Sequence, residues 1–355
     1  MKKILALILA LVMLLGLVAC ASGNEKPAEQ PEQTQTQTPA AAEETPAAEE
    51  APAAADGKTY TIGVAMEDLN TQFWLSNYQA MKDRAAELGN VTLVEAIAGG
   101  DANLQNQQIL DFIAQGVDAI ICAPKDNAAI ATAVEECNEA GIPIIMDNRP
   151  VVEGSCEPDA QVLSDNRSMA YEEMKWFIER AKADGKSYKC LMLIGNLGDG
   201  NAVERRDGYQ AAVDEFGEGV VEIVVSVPTE WDHEVALSGL QSALAAYPDI
   251  DMMILPSDFL WEPVQTALTE AGKWAKKGEE NHVVCISFDG DETGKQMLAD
   301  GYCWADAAQS AALQGTTCVD TAIKLADGET LESRDVKDSG LLVTFENFDE
   351  VKDLF

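Results

Sequence analysis

From Thr59 onward the chain alternates short runs rich in Val, Ile and Ala with stretches of 3.6-residue apolar period. This alternation restricts the folds open to it more than any other feature. Strand candidates are Tyr60–Met66, Thr92–Ala96, Ala119–Cys122, Pro143–Asp147, Cys190–Ile194, Ile223–Val227, Met252–Leu255 and Val283–Phe288. Helical periodicity covers Trp74–Leu88, Leu104–Gln115, Ala128–Ala140, Met169–Ala183, Ala202–Phe216, Val235–Tyr247 and Pro263–Ala271. Continuous apolar strands separated by helices predict parallel sheets covered on both faces. Gly89, Gly116, Gly141 and Gly272 stand where helices want a left-handed C-cap. The strands are too many for one comfortable sheet, and the Pro/Gly/acid-rich stretch Pro150–Asp159 interrupts the rhythm midway. The expected architecture is α/β, with two doubly wound parallel-sheet lobes.

In such sheets ligands sit beyond the carboxyl ends of the strands. Those ends read Asp68-Leu69-Asn70-Thr71, Asp147-Asn148-Arg149, Gly195 to Arg206, Glu230-Trp231-Asp232, Ser257-Asp258 and Phe288-Asp289-Gly290. Polar and aromatic groups therefore collect where a polar ring could be gripped. Trp231 lies among polar residues in a loop, and aromatic faces suit the C–H faces of a sugar. Phe73-Trp74, at a strand-to-helix junction, fits a core pair as well as a ligand platform. Arg205 could donate bidentately to ring and hydroxyl oxygens or pair with Glu204 or Asp207. Asp258, Asp289 and Asp291 also suit helix N-caps, Asp258 for a helix beginning near Trp261.

Other chemistries lack their residues. Gly198-x-Gly200 is missing the third glycine of a dinucleotide fingerprint, and neither a P-loop nor a Gly-x-Ser-x-Gly elbow occurs. Two histidines, His233 and His282, leave little for a His-based zinc site or a Ser-His-Asp triad. The Asp289-Gly-Asp-Glu run lacks the later ligands of an EF-hand, so no metal and no cofactor is expected. Asp147 and Asp289 could be offered as the carboxylate pair of a glycoside hydrolase, although lone acids at strand ends equally bind hydroxyls. The chain carries 24 Lys+Arg against 61 Asp+Glu, a formal charge of −37. That balance argues against nucleic acid, because phosphate binding needs clustered cations.

The first residues read as an address. Lys2 and Lys3 precede an apolar run from Ile4 to Ala19, too short for a membrane span and suited to a secretory signal, 1–19. It ends in Leu17-Val18-Ala19-Cys20, which resembles the lipobox of bacterial lipoproteins and implies cleavage before Cys20 and lipid on its sulfur. The alternative is an ordinary signal peptide with a coincidental cysteine. Residues 20–57 then hold Pro27, Pro31, Pro39, Pro46 and Pro52, many Ala, Gln and Thr, and an excess of acids. With no aromatic or large aliphatic residue, such a segment is expected to be a solvated tether. Cys122, Cys137, Cys156, Cys190, Cys285, Cys303 and Cys318 remain, an odd number without a Cys-x-x-Cys. Buried free thiols are the favoured reading, and an exported protein could also pair two of them.

Ordered motifs across 59–355 resemble the periplasmic sugar-binding proteins of the ribose/galactose type, the receptors of ABC importers. They are Tyr-Thr-Ile-Gly-Val-Ala at 60–65, Asn-Thr-Gln-Phe-Trp at 70–74, Gly-Val-Asp-Ala-Ile-Ile at 116–121 and Gly-Ile-Pro-Ile-Ile-Met-Asp at 141–147. Ser164-Asp165-Asn166, Glu204-Arg205-Arg206-Asp207-Gly208-Tyr209, Phe288-Asp289-Gly290 and Ala308-Gln309 follow in order. The resemblance implies a type I periplasmic binding protein with a three-segment hinge, the lobes being 58–161 plus 310–338 and 162–309 plus 339–355. It implies ligand contacts at Thr71, Phe73, Trp74, Asp147, Asn148, Asn201, Arg205, Trp231, Ser257, Asp289 and Gln309. Asn148 stands where ribose-type members carry Arg, Ser257 replaces an Asn, Thr71 is a shorter donor than Asn, and the galactose-type calcium loop is not recognisable.

The function so implied is a non-enzymatic receptor, expected to be monomeric, that closes around a monosaccharide or polyol and passes it to an ABC permease. A lipid on Cys20 would hold it to the membrane. The same architecture could instead take a nucleoside, a quorum-signal furanose or another small polar metabolite.

Overall fold

The computed structural model describes residues 57–352, so the expected signal segment, the lipidation site at Cys20 and almost all of the tether lie outside the described residues. The chain runs β1 (Tyr60–Met66), α1 (Gln72–Leu88), β2 (Val91–Ile97), α2 (Ala102–Gln115), β3 (Ala119–Ala123), α3 (Ala131–Ala140), β4 (Ile144–Asn148) and β5 (Ala160–Ser164). A second repeat follows with α4 (Asn166–Ala183), β6 (Tyr188–Ile194), α5 (Gly200–Phe216), β7 (Val221–Pro228), α6 (His233–Ala246) and β8 (Met252–Ile254). It continues through α7 (Trp261–Glu270), β9 (Val284–Asp289), α8 (Glu292–Asp300) and β10 (Cys303–Ala308). The chain then adds α9 (Ala311–Ala326), β11 (Asp335–Asp338), β12 (Leu341–Thr344) and α10 (Phe348–Val351).

Two six-stranded sheets result, ordered β11-β5-β4-β3-β1-β2 and β12-β10-β9-β8-β6-β7. Pairing is parallel throughout except for β12, which lies antiparallel on β10 at the sheet edge. Each sheet carries apolar clusters on both faces, as continuous apolar strands require. In the first, Ile62, Val64 and Ile121 face α1 and α9, while Ile109, Phe112 and Val134 cover the opposite side. In the second, Phe177 and Tyr209 cover one face and Leu240, Trp261 and Val264 the other. Burying one such side chain contributes about 1.5–3 kcal/mol. Gly89, Gly116 and Gly141 are the left-handed C-caps expected of them, at φ 71°, 69° and 69°.

Several boundaries differ from the sequence reading. The chain leaves the first sheet only after Ser164, so the boundary expected at 161 falls inside β5, which pairs with β4 and β11. The stretch Pro150–Asp159 is the β4–β5 loop of the first sheet and not a junction between lobes. The chain returns through Gln309 into α9, which packs on the first sheet, and crosses again between β11 and β12. Asp258 does not cap the helix at Trp261, whose N-cap is Leu260 without a side-chain bond; the Ser257 hydroxyl caps the short 3-10 turn that precedes it, and Asp258 turns inward. Asp291 caps α8, whereas Asp289 does not.

Within the described residues all seven cysteines are free, and all but the half-buried Cys156 are buried. Burial pushes the thiols of Cys137 and Cys285 up to about 12, which keeps them protonated and unreactive. Among the described residues no helix is long and apolar enough to cross a membrane.

Candidate functional site

A cavity of about 70 Å³ lies between the carboxyl ends of the two sheets. The first lobe contributes Glu67, Asp68, Asn70, Thr71, Phe73, Trp74, Lys125, Asn148 and Arg149; the second contributes Asp199, Asn201, Arg205, Trp231, Ser257 and Asp289, with Gln309 at the crossing. Ten of the eleven expected contact residues meet here. Asp147 does not.

The exception has a strand-geometry cause. Successive side chains of a strand point to opposite faces, and Asp147 is directed between α1 and α9, where it is fully buried. Its Oδ1 accepts from Asn77 Nδ2 at 3.2 Å and Cys318 Sγ at 3.4 Å, and its Oδ2 has no donor. Asn148 follows at φ 62° and turns the chain, so that Asn148 and Arg149 reach the cleft instead. Arg149 thus lines the cavity beside Asn148. Asp147 and Asp289 also cannot flank one glycosidic bond, since only Asp289 lines the cavity. Burial raises the Asp147 carboxyl to about 7. A raised folded-state value means that this group's stabilisation is complete at low pH and is lost as pH rises through about 7. Asp147→Asn is expected to flatten that loss, which runs from the ordinary value of 3.8 up to about 7, in a melting-temperature series, and an unchanged profile over that acidic range would refute the assignment.

The second lobe presents a buried polar chain. Arg205, 3% exposed, stacks on the Phe288 ring at 3.8 Å. It donates through Nε to Asn166 Oδ1 (2.7 Å) and through Nη1 to the Pro256 carbonyl (2.6 Å) and Asp289 Oδ1 (3.0 Å). Among the described residues these bonds leave its Nη2 unused. The pairing with Glu204 or Asp207 does not form. Asp289, at φ 112°, also accepts from Gln309 Nε2 (2.7 Å) and from the Ser257 hydroxyl (2.5 Å). Gln309 Oε1 accepts in turn from Ser164 Oγ (2.7 Å) and Asn148 Nδ2 (3.2 Å), joining the crossing strands to the site.

Cations and carboxylates bridge the two lobes. Arg149 meets Glu67 Oε1 at 2.6 Å in its own lobe and Asp199 Oδ2 at 3.0 Å in the other. Lys125 approaches Glu67 Oε2 at 3.3 Å, and Trp74 Nε1 donates to Glu67 Oε1 at 2.9 Å. Burial alone would raise the Glu67 carboxyl, but the Arg149 guanidinium and then Lys125 outweigh it and hold Glu67 below its ordinary value. Asn201 Nδ2 donates across the cleft to the Asn148 carbonyl (3.1 Å) and Oδ1 (2.6 Å), while Asn201 Oδ1 has no donor.

The aromatic residues divide their duties. Phe73 and Trp74 meet edge-on at 5.1 Å, belong to the first lobe's core and still line the cavity. Thr71 caps α1 by accepting from the Trp74 amide, so its hydroxyl is partly committed to the fold. Trp231 sits in a loop at φ 55° with Nε1 donating to Asp199 Oδ2 at 2.9 Å. Its ring covers Gly195, where a Cβ would stand 2.0 Å away, so that position requires glycine.

Glu67 and Lys125 were absent from the sequence expectation, and Arg149 and Asp199 figured only as parts of strand ends. The same strand-end rule points to all four. What hid them is that an acid or lysine after a strand is ordinary surface chemistry until a second lobe faces it.

Residues 62–330 match the periplasmic binding protein domain. The ribose import binding protein of Bacillus subtilis is 26% identical over 294 residues, covering 82% of this chain and 90% of that protein. Its Escherichia coli counterpart is 28% identical over 284 residues, 80% of this chain and 90% of that protein. Among solved structures, an ABC transporter solute binding protein from Bacillus halodurans C-125 with bound myo-inositol aligns at a TM-score of 0.75 and 26% identity, covering 85% of this chain and 100% of that one. With a fold of two parallel-sheet lobes and a polar cleft between them, the chain belongs to the periplasmic binding protein family, as a ribose/galactose-type solute-binding protein.

Proposed function

We propose that this protein closes around one monosaccharide or polyol and hands it to an ABC permease, working as a monomer held to the membrane by lipid on Cys20. The observation that carries the reading is a single cavity whose walls come from both lobes, with Trp231 and the Phe73-Trp74 pair beside unsatisfied polar atoms. Aromatic faces take the C–H faces of a ring, and Arg205 Nη2 and Asn201 Oδ1 offer a donor and an acceptor to hydroxyls. The ribose- and inositol-binding relatives support this ligand class.

Closure follows from where these groups sit. A ligand touching both lobes makes all its contacts only when they are together, so it shifts the population toward the closed form. The hinge would lie at the three crossings after β5, β10 and β11. The closed surface is then the signal for the permease, and a tether of residues 20–57 would raise the local concentration near it.

A thermal-shift screen of the purified protein against monosaccharides, polyols, nucleosides and amino acids tests the reading. A binder at one hundred times its dissociation constant stabilises the fold by about 2.7 kcal/mol. A hit among sugars or polyols is expected, and hits confined to nucleosides or amino acids would overturn the ligand class. For that hit, Trp231→Ala is expected to weaken binding by about 2 kcal/mol or more, measured by calorimetry, with the melting temperature preserved. A large fall in melting temperature would make Trp231 a core residue instead.

A further inference from the structure

Behind the second lobe's wall of the cleft lies a group of carboxyls without a cation of their own. Asp258 is 1% exposed at the turn after β8, and Asp306 is wholly buried in β10. Both direct Oδ2 at Gly294 of α8, where a Cβ would stand 2.2 Å from Asp258 Oδ2 and 2.3 Å from Asp306 Oδ2. The two carboxyls therefore converge on one small space that only glycine leaves open. Asp258 is well supplied with donors: Ser287 Oγ and Trp261 Nε1 on Oδ1, and the Asp291 amide at 3.0 Å on Oδ2. Neither oxygen of Asp306 receives a hydrogen bond from any other group.

The surroundings make two adjacent charges untenable. Glu173 of α4 faces the pair from one side and accepts from the Tyr209 hydroxyl of α5 at 2.7 Å; Asp289 and Asp291 face it from the β9–α8 turn; Cys303 adds a protonated thiol. The Arg205 guanidinium is committed to Asp289. Burial first, and the neighbouring carboxylates second, push Asp258 and Asp306 well above the ordinary carboxyl range. A dry carboxylate without a donor is costly, and a proton held between two such groups relieves both.

We propose that Asp258 and Asp306 share one proton and act as a positioning pair for the cleft, tying the turn that carries Ser257 to the β9–α8 turn that carries Asp289. The pair touches no ligand. It acts through Ser257, whose hydroxyl bonds Asp289, and through the Asp291 amide held by Asp258. Loss of the shared proton as pH rises leaves two carboxylates repelling each other inside the lobe, so the two turns loosen with rising pH. The importance of the pair to binding rests on the reading of Ser257 and Asp289 as ligand contacts.

Hydrogen exchange read segment by segment on the purified protein, with no sugar present, tests the pair directly. Protection of 257–260 and 291–294 is expected to fall at least tenfold more than that of the first lobe between neutral and alkaline pH, after correction for intrinsic exchange. Asp306→Asn, whose amide donates to Asp258 without titrating, should keep both segments protected across the range, and Asp306→Ala should lose protection at every pH. A component of the protonated-carboxyl infrared band that is present in the wild type and lost in Asp306→Asn, beside the remaining bands of Asp147 and Glu173, whose carboxyls burial also raises, is the accompanying signature. An Asp306→Asn profile that falls as the wild type does overturns the proposal. So does wild-type exchange in these turns that merely follows the whole fold at every pH, a result that needs no variant to fold. Because no sugar enters the measurement, failure of the ligand reading would show in the thermal-shift screen and not here.

Discussion

Arg205→Ala should weaken binding of the sugar identified by screening by about 2–5 kcal/mol, because it truncates a desolvated, hydrogen-bonded charge pair. Arg205 is the only described cation that meets Asp289, and it also bonds Asn166 and the Pro256 carbonyl. Removing it leaves Asp289 with Ser257 and Gln309 as donors and no countercharge, at a site only 7% exposed. Calorimetry at fixed pH measures the change. Arg205→Lys should recover little of it, because an ammonium cannot reach Asn166, Pro256 and Asp289 together from one planar fork. Affinity unchanged in Arg205→Ala would place this residue outside the binding site.

Arg149→Ala is expected to have the largest effect on stability. Its guanidinium lies between Glu67 and Asp199, both nearly inaccessible, and also bonds the Pro124 carbonyl at 3.0 Å. Truncating one member of such a buried group leaves carboxylates uncompensated and costs about 3–5 kcal/mol. Because Asp199 belongs to the opposite lobe, the loss should also favour opening, visible as a larger radius of gyration in solution scattering. Removing the three buried charges together, as Arg149→Met with Glu67→Gln and Asp199→Asn, and leaving only the more exposed Lys125, should restore most of the stability, since the penalty arises from the orphaned buried charges and not from the missing pair. Denaturant unfolding of the single and triple variants decides this. A triple variant as weak as the single one would mean that Arg149 acts through packing against Trp74, whose ring it overlies at 5.3 Å.

The strands legible in the sequence are continuous apolar runs that include β-branched residues, such as Ala119–Ala123 and Val284–Asp289. β10, written Cys-Trp-Ala-Asp-Ala-Ala, has a weak intrinsic strand preference. Its strand form comes from neighbours on both sides, β9 in parallel and β12 in antiparallel register. β11, written Asp-Val-Lys-Asp, is likewise defined by its pairing with β5 more than by its own composition. The site shows a similar division. Arg205, Trp231, Asp289 and Gln309 were legible because they lie at strand ends and in ordered motifs. Asp147 was misassigned because linear spacing does not say on which residue a strand stops alternating; Asn148 in the left-handed region marks that point.

Hydrophobic periodicity and strand-end polarity are local properties that survive without contacts, and they suffice for the α/β lobes and for the end of each sheet where ligand chemistry collects. Which charges meet is set by the packing of the lobes. Glu67 with Arg149 and Asp199, and Asp258 with Asp306, are far apart along the chain, and each carboxyl alone is an ordinary acid. Their behaviour is set by exclusion from water and by the partner found there. Both depend on distances that arise only when the two sheets and their three crossings are in place.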